Sequence, residues 1–164
     1  MSGFHLADMQ QPLLDGGPDL SAASASVYLG LYRADPLARI SVARAGLPAV
    51  EAKALLDDLG LSQDAGLRAL NLSVATTNKK AKAGERLAPD ESERVMGLAR
   101  MMGQMEAMLG GGAQGFDTHA WLGRWLMEPL PALGHRRPAE LLDTMEGQAL
   151  VSQALARIES GAYA

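Results

Sequence analysis

The 164-residue chain contains no cysteine. A disulfide framework, a thiolate metal site and a cysteine nucleophile are all excluded, and the composition fits a reducing compartment. Aromatic residues are scarce as well, at 4%, which argues against a sheet protein, where aromatic and β-branched residues are enriched. No apolar run approaches the roughly 18 residues that a membrane span requires. The opening, Met1 to Leu6 with Asp8 close behind, lacks the basic start and apolar stretch of a signal peptide. The expected location is the cytoplasm, with no membrane contact. Neither a G-x-S-x-G elbow nor an H-E-x-x-H pair occurs, and His5, His119 and His135 stand apart from one another. The chain is therefore not expected to be an enzyme, and no metal or cofactor is assigned to it.

What is abundant favours helix. Hydrophobic residues make up 48% and charged residues 21%, with 15 basic against 19 acidic side chains for a net charge of −4. This is the composition of a folded globular chain, and its Ala, Leu and Met content favours helix. The predicted fold is all-α. Residues 1–34 read as a mobile extension with a short helix at its end, because Gln10-Gln11-Pro12 and Asp15-Gly16-Gly17-Pro18 can bury little apolar surface. Pro36 opens the next helix. Residues 35–110 then form a helical region, and 113–164 a second, smaller one.

Capping chemistry places most of the boundaries. Val50, Ala54, Leu55, Leu56 and Leu59 make one apolar face, closed by Gly60. Ser62 can cap a short helix that ends at Asn71, a residue tolerant of the left-handed conformation. Ser73 can cap the next, which Gly84 stops. Pro89-Asp90-Glu91 opens a long helix that contains five of the nine methionines, Met96, Met101, Met102, Met105 and Met108. Those methionines read as adaptable core packing, with a dimer interface as the alternative. Gly110, Gly112 and Gly115 match G-x-G-x-x-G, but a helix precedes them where a phosphate loop needs a strand, so they read as a linker. Asp117 or Thr118 caps a helix with Trp121 and Trp125. Thr144 caps a last one, whose stripe is Leu150, Val151, Ala154, Leu155 and Ile158.

Two short helices joined at Asn71, each with a capping serine, follow helix-turn-helix grammar. The second carries Ser73, Thr76, Thr77, Lys79, Lys80 and Lys82, side chains suited to base edges and phosphates. These six are the candidate DNA-binding residues. Lys79 to Arg86 is a basic patch within an acidic chain, so its DNA affinity should fall steeply with salt.

The C-terminal third, with Pro131-Ala132-Leu133-Gly134, Arg137-Pro138, Glu140-Leu141-Leu142-Asp143-Thr144, Glu146-Gly147 and Arg157-Ile158-Glu159-Ser160-Gly161-Ala162-Tyr163-Ala164, resembles the toxin-binding domain of Xre/MbcA/ParS antitoxins. Upstream, Gly46-Leu47-Pro48, Leu59-Gly60-Leu61-Ser62 and Leu87-Ala88-Pro89-Asp90-Glu91-Ser92-Glu93-Arg94 are similar to the Xre-like helix-turn-helix half of the same antitoxins. The resemblance implies a helical bundle with an Xre-like half followed by a small toxin-binding domain. It implies a partner, a RES-domain toxin that depletes NAD and is encoded beside the antitoxin. It further implies a homodimer or higher oligomer that binds operator DNA and represses its own operon. The inhibitory surface implied by the resemblance is Arg157, Ile158, Glu159, Gly161, Tyr163 and Ala164, which obstruct the toxin's NAD cleft. Departures from the family pattern are His135 at a usual glycine, Leu130 at a frequent asparagine, Ala162 at a valine, Asn71 at the turn glycine, and lysines where arginines are common. Gly66 interrupts the first helix of the pair and costs it about 1 kcal/mol relative to Ala. The alternative reading is a stand-alone helix-turn-helix repressor without a toxin partner.

Overall fold

The computed structural model describes residues 26–110 and 115–161. The stretch expected to be a mobile extension up to residue 25, Gly112 of the glycine pattern, and Tyr163 and Ala164 of the expected toxin surface lie outside the described residues. The described chain is all-α. Its helices are α1 Val27–Arg33, α2 Pro36–Ala45, α3 Ala49–Asp58, α4 Gln63–Ala69, α5 Val74–Ala83, α6 Pro89–Leu109, α7 Thr118–Leu126 and α8 Met145–Glu159. Two 3-10 turns, Pro131–Leu133 and Pro138–Leu141, join α7 to α8. No described helix is long and apolar enough to cross a membrane.

The expected caps are in place. Ser62 Oγ accepts from Ala65 N at 3.1 Å, Ser73 Oγ from Thr76 N at 3.2 Å, Asp117 Oδ1 from Ala120 N at 3.0 Å and Thr144 Oγ1 from Gly147 N at 3.0 Å. Each satisfies an amide that the helix start leaves unpaired, worth about 1 kcal/mol. Asn71 takes the left-handed conformation at φ 54°, and its position after α4 reverses the chain into α5.

The core forms around α6. Val95, Met96, Leu98, Ala99, Met101, Met102 and Met105 are all buried, so the methionines serve packing. Around this helix lie α1, α2, α7 and α8. Helix α1 is integral to the core, with Tyr28 and Leu31 buried against α6. The contact is close because residue 103 is glycine: a Cβ there would overlap the Tyr28 carbonyl. Gly66 is explained in the same way. It is buried, and a Cβ would run into the side chain of Leu56, so the helix interruption expected from sequence is what lets α4 lie against α3. One departure from the expected stripe of α8 is Leu150, which is 44% exposed while Val151, Ala154 and Leu155 are buried.

Replacing Gly103 with alanine should therefore destabilise the fold by about 1–3 kcal/mol, the usual range for overpacking a filled core. Thermal unfolding monitored by circular dichroism checks this; an unchanged Tm would contradict the close α1–α6 contact.

Candidate functional site

Two surfaces hold the residues singled out from sequence. The first is the outer face of α5. Ser73, Thr76, Lys79 and Lys82 are exposed on it, and a shallow depression there is lined by Ala75, Asn78, Lys79, Lys82 and Ala83. Thr77 is not on this face. It is 2% exposed, on the side of α5 that packs inward, so its hydroxyl cannot reach a ligand and it leaves the candidate set. Lys80 is only partly available, since its Nζ lies 3.4 Å from Glu91 Oε2 at the start of α6. The structure adds one residue that the local pattern could not show: Lys53 of α3 donates to Asn78 Oδ1 at 2.8 Å, placing another ammonium beside the depression. The sequence separation of 25 between Lys53 and Asn78 hides that pairing from any helical-period argument.

The helix pair is held from behind by Arg94 of α6. Its Nε donates to the Leu70 carbonyl at 2.8 Å and its Nη2 to the Asn71 carbonyl at 3.4 Å, while Nη1 meets Asp90 at 3.2 Å. Asp90 is held below the usual carboxylate range, chiefly by the hydrogen bond from Arg94. Glu91 accepts from both Ala88 N and Lys80 Nζ. The turn and the second helix are thereby fixed to the first two turns of α6.

The second surface is α8. Its inner side is bound to α6 by buried amides: Gln148 Nε2 donates to the carbonyls of Arg94 at 3.0 Å and Leu142 at 2.9 Å. Ser152 Oγ donates to Gln104 Oε1 at 2.7 Å, and Gln104 Nε2 returns a bond to the Ser152 carbonyl at 3.0 Å. Outward from these, Glu146, Leu150, Gln153 and Arg157 are exposed at spacings of four, three and four, one stripe of a helix. Arg157 and Glu159 are exposed and Ile158 is partly buried. Gly161 turns the chain at φ 66°. Leu150 thus joins Arg157 on the outer side, apart from the buried Val151, Ala154 and Leu155 of the same apolar stripe.

A polar cluster ties the two regions together. Glu106 of α6 accepts from Ser26 Oγ at 3.0 Å and pairs with His119 of α7 at 2.8 Å. The His119 ring stands edge-on to Tyr28, with centroids 5.4 Å apart. Tyr28 in turn donates to Asp58 at the end of α3, and burial, followed by that bond, raises the phenol so that it keeps its proton.

Comparison with known proteins agrees with this arrangement. The described fold and its two faces define a helix-turn-helix protein with a second helical unit built on the same long helix. The pattern of the antitoxin Xre-like helix-turn-helix domain matches residues 38–100, and that of the antitoxin Xre/MbcA/ParS C-terminal toxin-binding domain matches residues 106–161. The Prs ADP-ribosylating antitoxin of Sphingobium sp. (strain YBL2) is 50% identical over 139 residues, covering 84% of this chain and 87% of that protein. The antitoxin Xre of Yersinia enterocolitica (serotype O:8 / biotype 1B, strain NCTC 13174 / 8081) is 30% identical over 97 residues, covering 59% and 62%. The chain belongs to the Xre/MbcA/ParS antitoxin family.

The His119 pair carries a pH dependence. The hydrogen bond to Glu106 raises the imidazole pKa against the opposing effect of burial, with Glu106, Asp58 and Asp117 adding their charges. A raised folded pKa stabilises fully below the ordinary value of 6.5 and loses that contribution as pH rises through the folded value. Tm should accordingly fall as pH rises from the ordinary histidine value of 6.5 through the raised folded one, and His119→Gln should flatten that slope; an equal slope in wild type and variant would contradict the pairing.

Proposed function

We propose that this antitoxin neutralises a NAD-consuming RES-domain toxin with the outer stripe of α8 and the tail that follows it, and that it represses its own operon through α5. The observation that carries the first part is the contrast between the two sides of α8. Its inner side is locked by Gln104, Gln148 and Ser152, whereas Leu150 and Arg157 point outward. A helix fixed in this way presents an apolar anchor and a cation with little ordering left to lose on binding. Inhibition is steric: the occupied cleft admits no NAD, and no proton transfer or covalent step by the antitoxin is required. The name of the Sphingobium relative supports a toxin that uses NAD as an ADP-ribose donor, so that nicotinamide leaves and ADP-ribose passes to an acceptor.

Repression follows from the α5 face. Thr76, Lys79 and Lys82, with Lys53 beside them, offer donors for phosphates and base edges. A homodimer or higher oligomer would present two such faces to a two-part operator.

The test is co-expression of the untagged chain with the tagged product of the adjacent reading frame. Stable capture with NAD loss suppressed is the expected result; no capture and no effect on NAD would leave the stand-alone repressor. Deleting residues Glu159 to Ala164 should abolish suppression of NAD loss while the far-ultraviolet spectrum stays helical, and full inhibition by the truncated chain would contradict the role of the tail. Leu150→Asp should weaken capture at least about tenfold, roughly 1.4 kcal/mol. For DNA, Lys79→Ala and Lys82→Ala should each reduce the slope of log affinity against log salt by about 0.9; unchanged slopes would remove α5 from the phosphate contacts.

A further inference from the structure

Asn78 carries the one side-chain amide in the depression on the outer face of α5. Ala75 and Lys82, one turn away on either side, and the adjacent Lys79 complete that face, and all three are exposed. The orientation of the amide is set from outside the helix pair. Lys53 Nζ of α3 lies 2.8 Å from Asn78 Oδ1, and because an ammonium only donates, the atom that meets it has to be the amide oxygen. The Nδ2 group, by contrast, has no hydrogen-bond partner among the described residues.

Lys53 is turned toward Asn78 because its natural counter-charge is engaged elsewhere. Asp57 lies four positions further along α3, the spacing of a helix ion pair. Its Oδ1 instead accepts from Gln63 Nε2 at 2.7 Å, and the same Nε2 donates to the Lys53 carbonyl at 2.9 Å. Among the described residues Lys53 has no ion-pair partner. Its charge and its remaining N–H groups therefore stay beside the Asn78 amide.

This pairing changes what the asparagine can read. In the major groove adenine shows an acceptor, N7, and a donor, N6, whereas guanine shows two acceptors, N7 and O6. Asparagine by itself suits adenine, since Oδ1 accepts from N6 while Nδ2 donates to N7. With the Lys53 ammonium on Oδ1, a donor stands where adenine would bring its own N6 hydrogens. Two adjacent donors, Nδ2 and Nζ, suit guanine.

We propose that Lys53 and Asn78 act as one reading unit for guanine, Asn78 Nδ2 and Lys53 Nζ donating to its N7 and O6. The proposal rests on the reading of α5 as the DNA-facing helix and adds to it which base the helix selects. Lys79 and Lys82 of the same face are left for the phosphates.

The test is selection from a randomised DNA duplex pool by the full-length wild-type chain, Lys53→Met and Asn78→Asp, each first shown to be folded by thermal unfolding. Wild type is expected to prefer guanine over adenine roughly tenfold at one position of each half-site. Lys53→Met keeps the aliphatic stem, frees Oδ1 and should move that position to adenine. Asn78→Asp retains a partner for Lys53 but replaces the donor by an acceptor, and should abolish the guanine preference. Duplexes retained without a guanine preference, or with one that both variants keep, would overturn the proposal while leaving α5 as the DNA-facing helix. Weaker binding by the variants with an unchanged preference would also overturn it, assigning the pair to phosphates. No duplex retained by wild type even at low salt would overturn the DNA reading itself and the proposal with it.

Discussion

Helix α6 has to be buried on nearly all sides at once, and the rest of the molecule follows from how that is achieved. A helix this enclosed cannot use a single apolar stripe; it needs neighbours on several faces, supplied by α1, α2, α7 and α8. Close approach is possible only where side chains are absent, as at Gly103 beneath Tyr28 and at Gly97, where a Cβ would overlap Gln148. The four buried methionines fill the irregular spaces left between neighbours that arrive at different angles.

The same helix supports both the helix-turn-helix and α8. Near its start, Arg94 holds the helix-turn-helix turn by the carbonyls of Leu70 and Asn71, and the backbone carbonyl of Arg94 accepts from Gln148 of α8. One residue of α6 therefore touches the base of each region. The polar bonds that α6 makes to α8, through Gln104 and Gln148, are satisfied on both sides. Shifting α8 along α6 would leave these buried amides unpaired, at about 1–3 kcal/mol each, so they fix the register that apolar contacts alone would leave loose. The two matched domain patterns end and begin within α6, in keeping with a helix that belongs to both cores.

Local chemistry was legible in the sequence and long-range packing was not. Ser62, Ser73, Asp117, Thr144 and Asn71 announce helix ends because a cap acts on amides two or three residues away. The membership of the family was readable because its motifs are contiguous. Thr77 was misplaced, and the side on which Leu150 lies was left undecided, for one physical reason: a helix stripe read from spacing has edges, and which neighbour covers the edge depends on α3 and α6, far away in the chain. Lys53 beside Asn78, and the need for glycine at 66 and 103, are likewise set by contacts between elements. The 3-10 turns after α7 are not legible in this way, because their prolines mark a start without fixing the hydrogen-bond pattern that follows.

Helix α6 makes the helix-turn-helix and the α8 region one cooperative unit. Native-state hydrogen exchange in low denaturant tests it most directly, since it reads the opening free energy of each helix separately. The account predicts that core amides of α4, α6 and α8 converge on one opening free energy equal to that of global unfolding. Exchange of α8 through a separate, lower-energy opening, with α4 and α6 still protected, would contradict it.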